Sequence, residues 1–558
     1  MKRNLIILLL LAIIPFISCK KYLEEYNPGG NTADAVFNTP AGFESGVNAA
    51  YSYNRWLWGK EQGYHLMEVG TDLWMSGVDD PNAELTQYTS GLNPSQATLA
   101  GIWPRMYAAV NLCNALINRV GESGLSSSQQ KIREGELRML RAWYYFFIVE
   151  TWGGVHFTLD ETSGIATTAN RTPIATFYDQ ILTDLRFAIQ ALPNTTADNG
   201  RVTKPAAEAF ISKVFLYTAA YDSSYFYANR VITQYGLTLQ PKYSDLWDMT
   251  KNVSKEIIWA VNYSTNLTLN DLQNPVSYPQ GHPRAANNGH LMFLQKYDVR
   301  NGMQRDIPNG RPFSRYMPTI AMLDLFNETI DSRYYSTFQE AWLCNRPGNY
   351  SRQLSNNTPL NYTLALNDTA HWITKQTVSN AFRDSRKHET FDRTNIYNAN
   401  GTPKNTSNFV SLKKFLDPTR PSVAEQQSAR DAYIFRLADI MLVAAEAKFR
   451  LNDPGAAAIL INMVRTRAAN TGQTAAMQIV AGDVNLDFIL DERARELAGE
   501  QWRWFDLKRT GKLIALINTR NAQASANVKP FHLLRPIPQA QIDAVTNKSE
   551  FTQNPGYQ

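Results

Sequence analysis

The sequence predicts a mainly α-helical fold: tetratricopeptide-like helical hairpins forming a scaffold, with long irregular loops and a few short strands packed on it. Three observations predict it. Apolar residues recur at helical spacing up to about residue 236 and again after about 432. Asn452-Asp453-Pro454-Gly455 joins two amphipathic stretches by so short a turn that they must form an antiparallel hairpin. The intervening residues, 237–431, are rich in Asn, Thr, Gly, Pro and Tyr and read mostly as loops.

Lys2 and Arg3 precede an almost unbroken apolar run from Leu5 to Phe16. A comfortable membrane span needs roughly 20 such residues. The run instead fits the apolar region of a secretory signal, typically about 7–15 residues long. It ends in Phe16-Ile17-Ser18-Cys19, which resembles a bacterial lipobox with Phe16 where Leu is usual. Residues 1–18 are therefore expected to be removed and Cys19 to be acylated. Two or more acyl chains, at about 0.8 kcal/mol per buried CH₂, hold a protein on a membrane stably. Lys20 to Gly30 is polar and reads as a tether, and residues 31–558 read as a single domain.

Within that domain, Trp103–Val120 and Ser126–Trp152 read as helices. In the second, Leu137, Leu140, Tyr144, Phe147 and Ile148 share one face, and Gly153-Gly154 stops it. Pro173–Leu192 and Pro205–Tyr221 form a further pair, each with Pro in the first turn. Glu256–Val261 reads as a strand and Thr319–Phe326 as a short helix. From Tyr433 the helices resume, with Leu437, Ile440, Met441 and Ala444 on one stripe and Ala456, Ile459, Leu460 and Met463 on the facing one. Neither helix buries its stripe alone, so such hairpins stack.

Composition excludes several functions. The formal charge of +5 includes Lys2 and Arg3 of the leader, and no basic block marks a nucleic-acid groove. The seven His are scattered, and phosphate-binding glycine loops, nucleophile elbows and His-Glu-x-x-His motifs are absent, so neither metal nor cofactor is expected. Cys113 and Cys344 are too few for a disulfide scaffold and read as ordinary buried or semi-buried thiols, with a single bridge between them as the alternative in an oxidising compartment. Glu492, Glu496 and Glu500 recur every fourth residue. A glycosidase would need two such carboxylates across an open cleft, one with a raised pKa. Each has Arg three or four positions away (Arg495, Arg493 and Arg503), which favours a structural ion network.

Five ordered stretches carry a resemblance. They are Arg141–Phe146 running into Trp152-Gly153-Gly154-Val155; Met317-Pro318-Thr319 with Leu323–Phe326 and Asp331-Ser332-Arg333; Arg436–Leu442 with Asn462–Ala468; Arg493–Gly511; and Leu534-Arg535-Pro536-Ile537-Pro538 with Gln553–Tyr557. In this order they resemble the RagB/SusD family of starch-utilisation-system D-like lipoproteins. The resemblance implies four tetratricopeptide-like hairpins and placement at the outer membrane, facing outward. It implies a TonB-dependent SusC-like transporter as partner, and capture of oligosaccharide without catalysis. Peptide capture is the alternative cargo, and a glycan-degrading enzyme is the alternative from another class.

The family motifs carry no ligand residues, so these are sought from chemistry. A sugar offers an apolar face to Trp or Tyr and a hydroxyl rim to Asp, Asn or Arg. Asp72 and Trp74, in Glu68–Trp74, are the first candidates. Trp342 with Asn345 and Arg346 is the second, and His371-Trp372 the third, with Tyr88 and Trp58 weaker.

Overall fold

A computed structural model describes residues 32–198, 200–264, 266 and 287–557. The leader, Cys19 and the tether lie outside the described residues.

Helices dominate. The principal ones are α1 (Pro40–Ser52), α2 (Ala97–Arg119), α3 (Ser127–Trp152), α4 (Ile174–Ala191), α5 (Lys204–Tyr217), α6 (Tyr221–Gln234), α7 (Leu437–Arg450), α8 (Pro454–Ala468), α9 (Leu486–Leu497) and α10 (Arg503–Arg509). From α2 to α8 each packs on the next. The contact between α6 and α7 closes the array across the whole of residues 235–436, so the loop-rich segment is an excursion from one continuous scaffold.

Local chemistry sets these helices. Ser126 caps α3 in a reciprocal box with Gln129, and Gly153, at φ 75°, ends it. Asp453 accepts from the Ala456 amide at 3.0 Å to start α8, as the Asp-Pro pair predicts. Two expectations are corrected. Helix α2 begins at Ala97 rather than Trp103, because the Gln96 side chain caps the Leu99 amide and Pro104 is accommodated inside the helix. The predicted Pro205–Tyr221 helix breaks after Tyr217, where Ala219 takes φ 57°, and a separate helix, α6, begins at Tyr221.

The largest core joins the two ends of the chain. Trp143 and Phe146 of α3 and Phe210 of α5 meet Phe435, Trp502 and Phe505, with ring centroids 5.0–6.5 Å apart. Rings at such spacing contribute about 0.5–1.5 kcal/mol per pair beyond their burial.

The excursion holds more strand than its composition suggests. With β1 (Trp74–Ser76) from before it, the principal strands are β2 (Ile257–Val261), β3 (Tyr316–Pro318), β4 (Ala341–Leu343), β5 (Gly348–Gln353), β6 (Pro359–Leu364), β7 (Thr369–Ile373), β8 (Glu389–Phe391) and β9 (Ala432–Arg436). They pair as β1 with β3, β2 with β9, and β5 with β6 in a hairpin. Strand β7 lies between β4, antiparallel, and β8, parallel. Asn357 takes φ 63° in the turn between β5 and β6, a conformation Asn tolerates better than most residues.

Candidate functional site

The chain has 12 Trp. Eleven are buried, and Trp372 alone keeps part of its surface in solvent. Sheet register decides this. On β7, His371 and Trp372 point to opposite faces. His371 faces inward, opposite Trp342 of β4, and those two rings stack at 5.5 Å and 12°. Tyr297 stacks on Trp342 at 4.6 Å. Burial, then Arg300 and His388, push the His371 imidazole down to about 3, so it is neutral at ordinary pH.

Trp372 faces outward between Ala341 and Thr390. Its indole N–H points to Glu340 Oε2 at 3.3 Å. Phe382, on the one-turn helix Asn380–Asp384, lies 5.8 Å away at 59°. The Arg386 guanidinium sits 4.1 Å over the Phe382 ring. This surface is held from below. Arg352 of β5 donates to the carbonyls of Arg383 at 2.9 Å and Asp384 at 3.2 Å. The Ser355 amide donates to Asp384 at 2.9 Å, and Arg383 donates to Asp392 at 3.2 Å. Two aromatic rings are thus presented on a braced surface, the arrangement that ring stacking on a sugar requires.

Most other sequence candidates are corrected. Trp74 and Asp72 are fully buried. Trp74 donates to Glu68 at 2.9 Å, and that carboxylate also accepts from the Gly499 amide at 2.9 Å and the Gln501 amide at 3.0 Å. Burial pushes the Glu68 carboxyl up to about 7, against the pull of those donors and of Lys414 and Arg503. Asp72 accepts a fork from Arg503 and a third bond from Arg520 at 3.2 Å. The Glu68–Trp74 segment is therefore a clasp onto the C-terminal helices. Tyr88 is buried and donates to the Gly70 carbonyl at 2.5 Å, and Trp342 and Trp58 are core residues. The amide of Asn345 is consumed by Gln304 and Asp306. Arg346 is exposed, beside Tyr350 at 6.0 Å.

Other concavities differ in character. A cleft of about 530 Å³ between α1 and β2 is lined by Tyr51, Arg55, Arg201 and Trp259. Arg201 is already engaged by Glu136, Glu44, Asn48 and Asp198. An apolar groove of about 680 Å³ runs along α7 and α8, past Leu437, Met441, Ile459 and Met463. The β5–β6 hairpin turns Asn349, Ser351, Asn361 and Thr363 outward over a hollow of about 400 Å³. Among the described residues no His/Cys/Asp/Glu group could hold a metal ion. No described helix is long and apolar enough to cross a membrane.

Glu492, Glu496 and Glu500 form the expected ion network, with corrected partners. Glu492 meets Arg495 as predicted, and also Arg333 and Arg465, each at 2.8 Å. Glu496 meets Arg333, Arg436 and Arg467 rather than Arg493. Glu500 meets Arg436 and Lys414 rather than Arg503. Arg493 instead pairs with Asp439 and Asp506. Burial raises the Glu496 carboxyl, but Arg467, Arg436 and Arg333 outweigh it and hold it at about 2. An acid so strong and so enclosed cannot serve as a general acid.

The SusD family model matches residues 255–557, more than half of the chain. The chain belongs to the SusD family. A second family model, described as starch-binding and associating with the outer membrane, matches residues 21–216 of this SusD family member. SusD-like protein P25 of Formosa agariphila is 24% identical over the full length of both chains. A SusD-like protein of Bacteroides ovatus is 24% identical, covering 91% of this chain and 82% of its own length. Among solved structures, a laminarin-binding SusD-like protein matches with a TM-score of 0.67 at 21% identity, covering 93% of this chain and 99% of the other. A surface glycan-binding protein A from Bacteroides thetaiotaomicron, in complex with laminarihexaose, matches at 0.68 and 20%, covering 92% and 99%. At these identities the structural likeness establishes the fold. The helical scaffold with short strands is that of the SusD family.

Proposed function

We propose that this SusD family member captures oligosaccharide at the cell surface and passes it to a TonB-dependent SusC-like transporter in the outer membrane, without catalysing a reaction. One observation carries the binding half: Trp372, the single Trp with open surface, stands beside Phe382 on a braced sheet. The laminarin-binding relatives support a glycan as cargo. The lipobox-like Phe16–Cys19 supports anchoring through acyl groups on Cys19, with residues 20–30 as slack between membrane and fold.

Isothermal calorimetry of the soluble chain from Lys20 against a panel of oligosaccharides tests the cargo. Binding that falls at least tenfold in Trp372→Ala supports the site, and binding indifferent to that change refutes it. Peptides in the same panel decide between cargoes. Copurification of an outer-membrane barrel with the full-length chain tests the partner. Loss of radiolabelled palmitate in Cys19→Ser tests the anchor.

A further inference from the structure

Residues 386–388 add a charge asymmetry to the Trp372 surface. Arg386 and Lys387 are exposed, and neither forms an ion pair among the described residues. Arg386 is nonetheless placed, because its guanidinium lies 4.1 Å over Phe382.

The acidic side chains nearby form no ion pair with Arg386 or Lys387 among the described residues, and most are held by other donors. Asp384 is taken by the amide and hydroxyl of Ser355. Asp392 caps the helix that starts at Arg393 and also accepts from Arg383. Glu340 receives Tyr334, Thr374 and Trp372. Glu389 is paired in register with His371, so it points to the opposite face of the sheet from Trp372. Behind the loop, Arg352 contributes a further positive charge, its guanidinium bonded to backbone carbonyls. The local field is felt by His388, whose proton affinity is lowered by burial first and then by Arg386 and Arg352. Here Arg386 and Lys387 face solvent beside an aromatic pair.

A neutral sugar needs a ring face and hydroxyl partners, and gains little from two unpaired cations. A ring bearing a carboxylate or a sulfate ester meets a planar fork built for oxyanions. We propose that the Trp372 surface selects anionic glycans, with Arg386, held over Phe382, and Lys387 receiving a carboxylate or sulfate on a sugar stacked at Trp372. This rests on the glycan-binding reading of Trp372 and goes beyond it by naming the substrate class.

The test uses the soluble chain from Lys20 and three probes of equal length: an oligoglucuronate, a sulfated galactan oligosaccharide and neutral laminarihexaose. Affinities are measured by calorimetry at low and high NaCl for the wild type, R386Q/K387Q and W372A. Both charged residues are exposed, so the double variant folds. We expect at least one anionic probe to bind about tenfold more tightly than the neutral one. That preference should shrink at high salt, and R386Q/K387Q should lower the anionic-to-neutral affinity ratio about tenfold. The uronate and sulfate arms say which oxyanion is read. Equal or tighter binding of laminarihexaose, no binding of either anionic probe, or an unchanged ratio in R386Q/K387Q overturns the proposal. If W372A still abolishes neutral binding, the glycan site survives that failure. If W372A leaves every affinity unchanged, the site itself falls.

Discussion

Arg503 closes a two-pronged fork on Asp72, Nε to Oδ1 at 2.8 Å and Nη2 to Oδ2 at 2.7 Å, tying the start of the domain to its last helices. Both side chains are buried. Removing Arg503 leaves the buried Asp72 with only the longer contact to Arg520, at a cost approaching that of a broken buried pair, about 3–5 kcal/mol. Arg503→Ala should therefore lower urea-unfolding stability by that amount. Arg503→Lys should recover only part of it, since an ammonium cannot form the fork.

Trp342 and Trp372 should separate stability from binding. Trp342→Ala empties a stacked core position and should cost about 3–5 kcal/mol in denaturant unfolding. Trp372→Ala should cost about 1 kcal/mol, while carrying the loss of glycan affinity.

Glu68 should give the protein an unusual pH profile. Its folded value of about 7 lies above the ordinary 4.5, so the native state holds the proton more tightly. Stability from this group is present below pH 4.5 and declines as pH rises to about 7, by up to about 1.4 kcal/mol per unit. Urea midpoints across pH 5–7 should fall less steeply in Glu68→Gln than in the wild type.

Glu496 should act in the opposite direction. Its folded value of about 2 lies below 4.5, so the unfolded chain takes up the proton first. The stability it contributes is full above pH 4.5 and is lost as pH falls toward 2. Arg436→Met removes one cationic partner from each of Glu256, Glu496 and Glu500 at once. It should destabilise by at least 3–5 kcal/mol at pH 7, and acidification to pH 5 should restore part of that, as followed by circular dichroism.

Cys113 and Cys344 are buried and unpaired. Burial pushes the Cys113 thiol up to about 12. In the soluble chain from Lys20, a thiol reagent should label neither before unfolding and both in denaturant, with no disulfide on mass analysis.

How far the sequence could be read depended on range. Caps, turns and helical stripes act over a few residues, so Ser126, Gly153 and the Asp453-Pro454 pair were legible directly. The β5–β6 hairpin was missed because its Ser/Asn/Thr alternation looks like loop composition. Glu492 could be given its neighbour Arg495, but Arg333 and Arg436 arrive from distant segments that helical spacing does not predict.

By itself, the sequence determined the helical class, the late hairpin, the family signature and a structural rather than catalytic role for the acidic helix, because these rest on local periodicity and ordered motifs. Only the tertiary structure decided which aromatic rings meet solvent. A strand exposes alternate residues, and a one-residue offset exchanges its faces. Pairing of β7 with β4 and β8 therefore sent His371 into the core and Trp372 out. Likewise Asp72 and Trp74 carry the right chemistry for a sugar, but Arg503 and Glu68 had already claimed them across the fold.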